Sequence, residues 1–260
     1  MKTRAIPSLA LCALLACASG PALAERIARA YDLNNVTEVV VGGANHIELV
    51  QGDGDSLRAE GSAELMARVK VDQDGQRLTL SVRDTENKVF SLFSLFNDDK
   101  VTFYLQLKNL NSVEVKGAST GRIGNWRGKS LAVHAGGASD LDIGNLTLEQ
   151  LRVELDGASN LTLTGLAAEQ SSFHLSGASD AKVAGRSNLL KVNASGASDF
   201  KGKQLKATQA ELEASGASDI DAEVTDQLKA QASGGSDIRY LGQPKLQSNA
   251  SGASDITAIK

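Results

Sequence analysis

The segment Val153-Glu154-Leu155-Asp156-Gly157-Ala158-Ser159-Asn160-Leu161-Thr162-Leu163 decides how the chain is read. Apolar and polar residues alternate up to Leu155 and again after Asn160, the period-two pattern of strands whose successive side chains face opposite ways. Between them lies a tight corner of small residues. That corner, Gly-Ala-Ser-Asp or a near variant, begins again at Gly117, Gly137, Gly177, Gly196, Gly216, Gly234 and Gly252. From the first copy to the last, the spacings are 20, 20, 20, 19, 20, 18 and 18 residues, so the chain is a repeat protein.

The flanks repeat with the corner. Four residues before each glycine stand Val113, Val133, Val153, Phe173, Val192, Leu212, Ala230 and Ser248. Four residues after it stand Gly121, Leu141, Leu161, Ala181, Phe200, Ile220, Ile238 and Ile256. A coil this short cannot bury its apolar face alone, so neighbours must stack, with strands about 4.8 Å apart and like residues in columns. The expected fold is all-β: a right-handed parallel β-helix, or β-solenoid, of coils of about 18–20 residues. Its handedness follows from the strong right-handed preference of parallel crossovers.

The corner residues are candidate structural positions: Gly117 and Ser119; Gly137, Ser139 and Asp140; Gly157, Ser159 and Asn160; Gly177, Ser179 and Asp180; Gly196, Ser198 and Asp199; Gly216, Ser218 and Asp219; Gly234, Ser236 and Asp237; Gly252, Ser254 and Asp255. Glycine allows a dihedral or a close approach that a Cβ would block, and Ser and Asp can satisfy backbone groups freed at a bend. Stacked serines are expected to form a hydrogen-bonded ladder. Stacked aspartates present a difficulty, because carboxylates about 5 Å apart repel by roughly 1 kcal/mol even in water. Backbone N–H groups compensate them, or cations such as Ca²⁺ sit between rungs.

Residues 31–108 lack the regular period but alternate strongly in Glu38–Val41, His46–Val50, Leu65–Val71, Leu78–Val82 and Val101–Leu107. Gly43-Ala44-Asn45-His46 reads as a degenerate ninth corner. This part is expected to begin a coil, elaborate it with hairpins at Gly52-Asp53-Gly54 and Asp74-Gly75, and cap the solenoid. Three of the six Phe lie in one loop, at Phe90, Phe93 and Phe96, a partner contact if exposed and a plug if folded back. At the other end only five residues follow Asp255, which leaves an open β-edge disposed to self-association.

The first residues carry Lys2 and Arg4, an apolar run from Ile6 to about Ala18, and Ala22-Leu23-Ala24, which together read as a secretory signal peptide over residues 1–24. Residues 25–260 then form a single domain, with regular coils over 109–260. Leu14-Leu15-Ala16-Cys17 offers a second route, lipidation at Cys17. The expected location is therefore the periplasm, or the outer membrane or cell surface for a lipoprotein, with no transmembrane helix. Cleavage after Ala24 removes both cysteines and two of the 27 basic residues, leaving a thiol-free chain of formal charge −6. That acidity argues against a nucleic-acid partner. Aromatics make up only 4 % of the chain, as a thin interior requires.

No catalytic site emerges. Polysaccharide lyases and hydrolases built on β-helices form the enzymatic alternative, but these coils carry almost no insertions to wall a cleft. A ladder of equivalent carboxylates also does not tune one against another, as acid–base catalysis needs. Glu114, His134, Glu154 and His174 form one outward column, yet its two histidines stand two rungs, nearly 10 Å, apart, too far to share a zinc ion. No metal site is assigned.

The reiterated Gly-Ala-Ser-Asp corners, the alternation before them and the leader resemble the autotransporter adhesin head GIN domain family of bacteria, from about Asn35 to the C-terminus. The resemblance implies a right-handed β-helix at the cell envelope and no catalytic residues. The expected function is that of a non-enzymatic, adhesin-like binding or structural module, its partner an envelope glycan or protein.

Overall fold

The computed structural model describes residues 26–83 and 100–259. Cys17 and the loop carrying Phe90, Phe93 and Phe96 lie outside the described residues. The chain is nearly all β and forms a β-solenoid of about seven turns, its coils about 20 residues apart. Eight corners bound seven complete coils.

The N-terminal strands are β1 (Arg26–Asp32), β2 (Glu38–Val41), β3 (His46–Gln51) and β4 (Ser56–Ser62), followed by helix α1 (Ala63–Arg68). Then come β5 (Val69–Asp74), β6 (Arg77–Val82) and β7 (Thr102–Leu107). The next coil is traced by β8 (Ser112–Val115), β9 (Thr120–Ile123) and β10 (Trp126–Arg127), and β11 (Ser130–Ala135) opens the one after it. The regular coils are β12 (Asp140–Leu155), β13 (Asn160–Leu175), β14 (Asp180–Ala194), β15 (Asp199–Gly216) and β16 (Asp219–Gly234). The chain finishes with β17 (Asp237–Leu241), β18 (Lys245–Gly252) and β19 (Asp255–Ala258).

Parallel pairing aligns like with like. Asp140, Leu141, Asp142 and Ile143 lie beside Asn160, Leu161, Thr162 and Leu163, and Val153, Glu154 and Leu155 beside Phe173, His174 and Leu175. In β12 the pairing skips Gly144 and Glu149. Together with the Gly-Ala-Ser corner, these two breaks divide each coil into three faces. The first follows the corner (140–143), the second is short (146–148), and the third leads to the next corner (150–155). The shorter coils lose residues at the bend after the first face, where the register shifts between Leu163 and Leu166, Lys182 and Ala184, and Gly202 and Lys206.

The interior is a set of apolar columns. Val113, Val133, Val153, Phe173, Val192, Leu212 and Ala230 are all buried, as are Leu141, Leu161, Ala181, Phe200, Ile220 and Ile238. The two phenylalanines meet at 5.0 Å between ring centroids with their planes inclined by 55°, a favourable tilted packing. The first column ends in Ser248, which is exposed, so the core tapers to a polar last rung.

The degenerate ninth corner exists: Ala118 N–H donates to Gly43 O at 2.8 Å, and Thr120 N–H to Asn45 O at 2.9 Å. Two expectations for the N-terminal part are corrected. Residues 65–71 are not one strand, because Ala63 to Arg68 form a helical turn capped by Ser62, whose hydroxyl accepts from Leu65 N–H at 3.4 Å. Ala, Glu, Leu, Met and Arg are all strong helix formers, and that local preference outweighs a weak alternation. Gly52-Asp53-Gly54 does not close a hairpin either. Strand β7 lies between β3 and β4, parallel to the first and antiparallel to the second. Asp74-Gly75 does close one, between antiparallel β5 and β6. Strands β6 and β7 thus form a base under β2 and β3, and antiparallel β5, β4 and β1 flank it.

Candidate functional site

The corners are built from three positions. Gly177 has φ of +79°, and a Cβ there would stand 2.4 Å from the carbonyl oxygen of Gly157, one coil back. That carbonyl accepts from Ala178 N–H at 2.7 Å, so the close approach is itself the stacking bond. The serines are buried in every copy. Their hydroxyls do not chain to one another, as a simple ladder would. Seven of the eight donate within their own coil to the carbonyl three residues earlier, as at 2.9 Å from Ser139 to Gly136 and 3.0 Å from Ser198 to Ser195. The same oxygen accepts from the preceding coil, as in Ser179 N–H to Ser198 Oγ at 3.3 Å and Ser198 N–H to Ser218 Oγ at 3.2 Å. Asn45 does the same work in the ninth corner, donating to Gly42 O at 2.7 Å.

The aspartates stack as expected, with Asp180, Asp199, Asp219, Asp237 and Asp255 in one register. Their compensation is different from either expectation. Lys201 Nζ sits 3.0 Å from Asp180 and 3.5 Å from Asp199. Arg239 reaches Asp219 at 3.1 Å and the buried Asp221 at 2.7 Å. Both cations stand two residues past a corner aspartate, so they share its face and are within reach of the rung below. Hydrogen bonding to Asp180 is the main cause that raises the Lys201 pKa, with the charges of both aspartates adding to it against the cost of burial. Asn160 bridges the uncharged rung by donating to Asp140 at 2.8 Å. Thr257 stands where Lys201 and Arg239 do, and Asp237 and Asp255 have no ion pair among the described residues.

The histidine column forms as read, but His134 is engaged by carboxylates on both ring nitrogens: Glu114 at 3.4 Å and Asp156 at 2.7 Å. Hydrogen bonding to Lys116 is the largest cause that holds the Glu114 carboxyl below its ordinary range, assisted by the charges of Lys116, His134 and Arg77 against burial. Among the described residues, no group of three or more His, Cys, Asp or Glu is placed to hold a metal ion.

The third face carries what sequence reasoning missed. Its outermost column runs Ser130, Gln150, Gln170, Leu189, Gln209, Gln227 and Lys245. Beside it run Ser112, Ala132, Arg152, Ser172, Lys191, Glu211, Lys229 and Gln247. The column nearest the corner holds the histidines, Asn193, Glu213, Gln231 and Asn249. Short Ala132 and Ser172 beside long Arg152 and Lys191 leave a depression of about 270 Å³, lined also by Gln150 and Gln170. It continues past His174, Asn193 and Glu213 and along Gln209, Gln227 and Lys245. Arg152 is held by Glu154 at 2.7 Å and Lys191 by Glu211 at 2.9 Å, which gives the groove donors and acceptors with little net charge. Gln150, Gln170, Gln209 and Gln227 each stand seven residues before a corner glycine, so the column is visible once the repeats are aligned at that offset.

Residues 35–244 match the family model described as "Putative auto-transporter adhesin, head GIN domain". The chain belongs to this family. Solved structures of similar fold include a "putative adhesin" from Parabacteroides merdae ATCC 43184, 16 % identical, with TM-score 0.80 over 91 % of this chain and 97 % of that one. A "putative lipid binding protein" from Parabacteroides distasonis ATCC 8503 is 18 % identical, with TM-score 0.78 over 90 % and 97 %. A "putative adhesin" from Bacteroides fragilis NCTC 9343 is 21 % identical, with TM-score 0.68 over the same shares. At these identities the likeness concerns the fold. No curated protein matches the chain. Among the described residues of this head GIN domain, no helix is long and apolar enough to cross a membrane.

Proposed function

We propose that this head GIN domain is an exported cell-envelope module that binds an extended glycan along its third face. Residues 1–24 act as its signal peptide, with Ala24 or the Cys17 lipobox as the processing point. The observation that carries the reading is the open groove over Ala132 and Ser172, walled by Arg152 and Lys191 and edged by a column of glutamines. Amide and charged groups repeating at the strand spacing match a polymer of hydroxylated units, and a shallow groove lets such a chain pass through without an end. The domain acts by binding rather than catalysis: the side chains of the face recur in similar settings, which suits grip more than acid–base chemistry.

A glycan array containing neutral, acidic and amino-sugar oligomers tests this, with phospholipid vesicles as a competing arm because one structural relative is named a lipid-binding protein. Ser172→Trp fills the depression from a half-buried surface position, and Lys182→Trp adds the same bulk to the first face. Glycan binding lost in the first variant and kept in the second is the expected result. Binding to vesicles alone, or binding unaffected by Ser172→Trp, refutes the proposal.

A further inference from the structure

Among the described residues, the last turn of the solenoid presents a helical step. Strand β19 covers β17 as far as Tyr240, and Ile259 N–H donates to Tyr240 O at 2.8 Å. The backbone edge from Leu241 to Ile259 therefore has no strand above it among the described residues. It rises by one strand spacing over one turn, and β18, exposed along its whole length, lies in the middle. Two such steps are self-complementary. Rotated by two-fold symmetry about an axis through mid-step, the high end of one faces the low end of the other, and the gap between them is constant. At the opposite end, among the described residues, antiparallel β5, β4 and β1 flank the base instead.

We infer that two copies of this chain join tail to tail through β18, paired antiparallel about Asn249. In this register Gln247 lies opposite Ser251 of the second copy, Ser248 opposite Ala250, and Asn249 opposite itself, where two amides each donate and accept. Every pair keeps inward side chains with inward and outward with outward. Lys245 is the one charged residue of β18 and has no ion pair among the described residues. It falls opposite Ala253 in the corner, and Asp255, the first residue of β19, lies just beyond that corner in the second copy. Asp255, like Asp237, has no ion pair within the solenoid among the described residues, and the symmetry makes this contact twice. Because the axis passes through the third face, the grooves of the two copies run on as one surface, from about 34 Å to roughly 70 Å long. The dimer does not depend on the ligand of that face, whereas the longer binding surface rests on the glycan reading.

Sedimentation velocity of the full-length chain tests the pairing by charge exchange. The wild type is expected to sediment as a dimer, Lys245→Glu as a monomer, and Lys245→Glu with Asp255→Lys as a dimer again. A monomeric wild type, a single variant that stays dimeric, or a double variant that fails to recover overturns the inference. All these residues are exposed, and far-ultraviolet circular dichroism checks that each variant is folded. With Cys12 and Cys17 changed to serine, Asn249→Cys should form a disulfide-linked dimer, since antiparallel partners lie within disulfide range. Ser172→Cys should not, and equal cross-linking of the two overturns the register. If the dimer forms but glycans longer than one groove gain no affinity, the binding proposal fails and the dimer stands.

Discussion

Changing one glycine to alanine at two neighbouring kinds of position should have opposite effects in this solenoid. At Gly177 the backbone is left-handed and a Cβ would meet Gly157 O at 2.4 Å. Left-handed backbone costs a residue with a Cβ about 1–2 kcal/mol. Relieving the contact also moves a carbonyl whose 2.7 Å bond from Ala178 N–H holds the stack, and losing that hydrogen bond costs about another 0.5–1.5 kcal/mol. Gly177→Ala should therefore destabilise the domain by about 1.5–3.5 kcal/mol, which lowers its melting temperature by roughly 3–14 °C at this chain length. Gly235 occupies the alanine position of its own corner, and a Cβ there meets nothing nearer than 3.9 Å. Gly235→Ala should be neutral or stabilising by up to about 1 kcal/mol, because it removes freedom from the unfolded chain. Thermal melts by circular dichroism compare the two. Gly177→Ala melting with the wild type would refute the argument that the corners require glycine for close stacking.

Phe173→Ala opens a cavity against Phe200 in the middle of the core and should cost about 3–5 kcal/mol, read from urea unfolding. Ser198→Ala removes a donor to the half-buried Ser195 O and an acceptor for the buried Ser179 N–H, and should cost about 1–3 kcal/mol by the same measurement. For pH, the lowered Glu114 pKa means a contribution fully present above the ordinary value of 4.5 and lost as pH falls through the folded value. The melting-temperature difference between wild type and Glu114→Gln should thus shrink as pH is lowered from neutral into that range, and a constant difference would contradict it. Because Lys201 and Arg239 already lie against the aspartate column, millimolar Ca²⁺ should leave the melting temperature unchanged, which differential scanning fluorimetry checks.

The corner at Gly157 was legible in sequence because its requirements are local and repeat: small residues, a fixed period and alternation on both sides. The same logic found the degenerate corner at Gly43, although asparagine replaces serine there. It did not find α1, where six residues of helical preference carry a chance alternation, nor the insertion of β7 between β3 and β4. That insertion is a long-range pairing with no spacing to announce it. The cations of the aspartate column were missed for a related reason. Arg122, Lys182, Lys201 and Arg239 share one column, but Asp142, Thr162, Asp221 and Thr257 interrupt it, so no one residue type repeats, and only three-dimensional stacking brings Lys201 and Arg239 over the acids of the coil below. The groove depends on contrast within a column, short Ser172 between long Arg152 and Lys191, and a search for repeated residues passes over such contrast.

The account turns on whether the third face holds a polymer along its length. Calorimetric titration with glycan oligomers of increasing size, drawn from the array's strongest ligand series, measures this directly. Affinity should keep rising with oligomer length until the chain spans about 34 Å of face, the length of its stacked rungs. An affinity already complete with a disaccharide, or no glycan binding by the full-length chain, would contradict it.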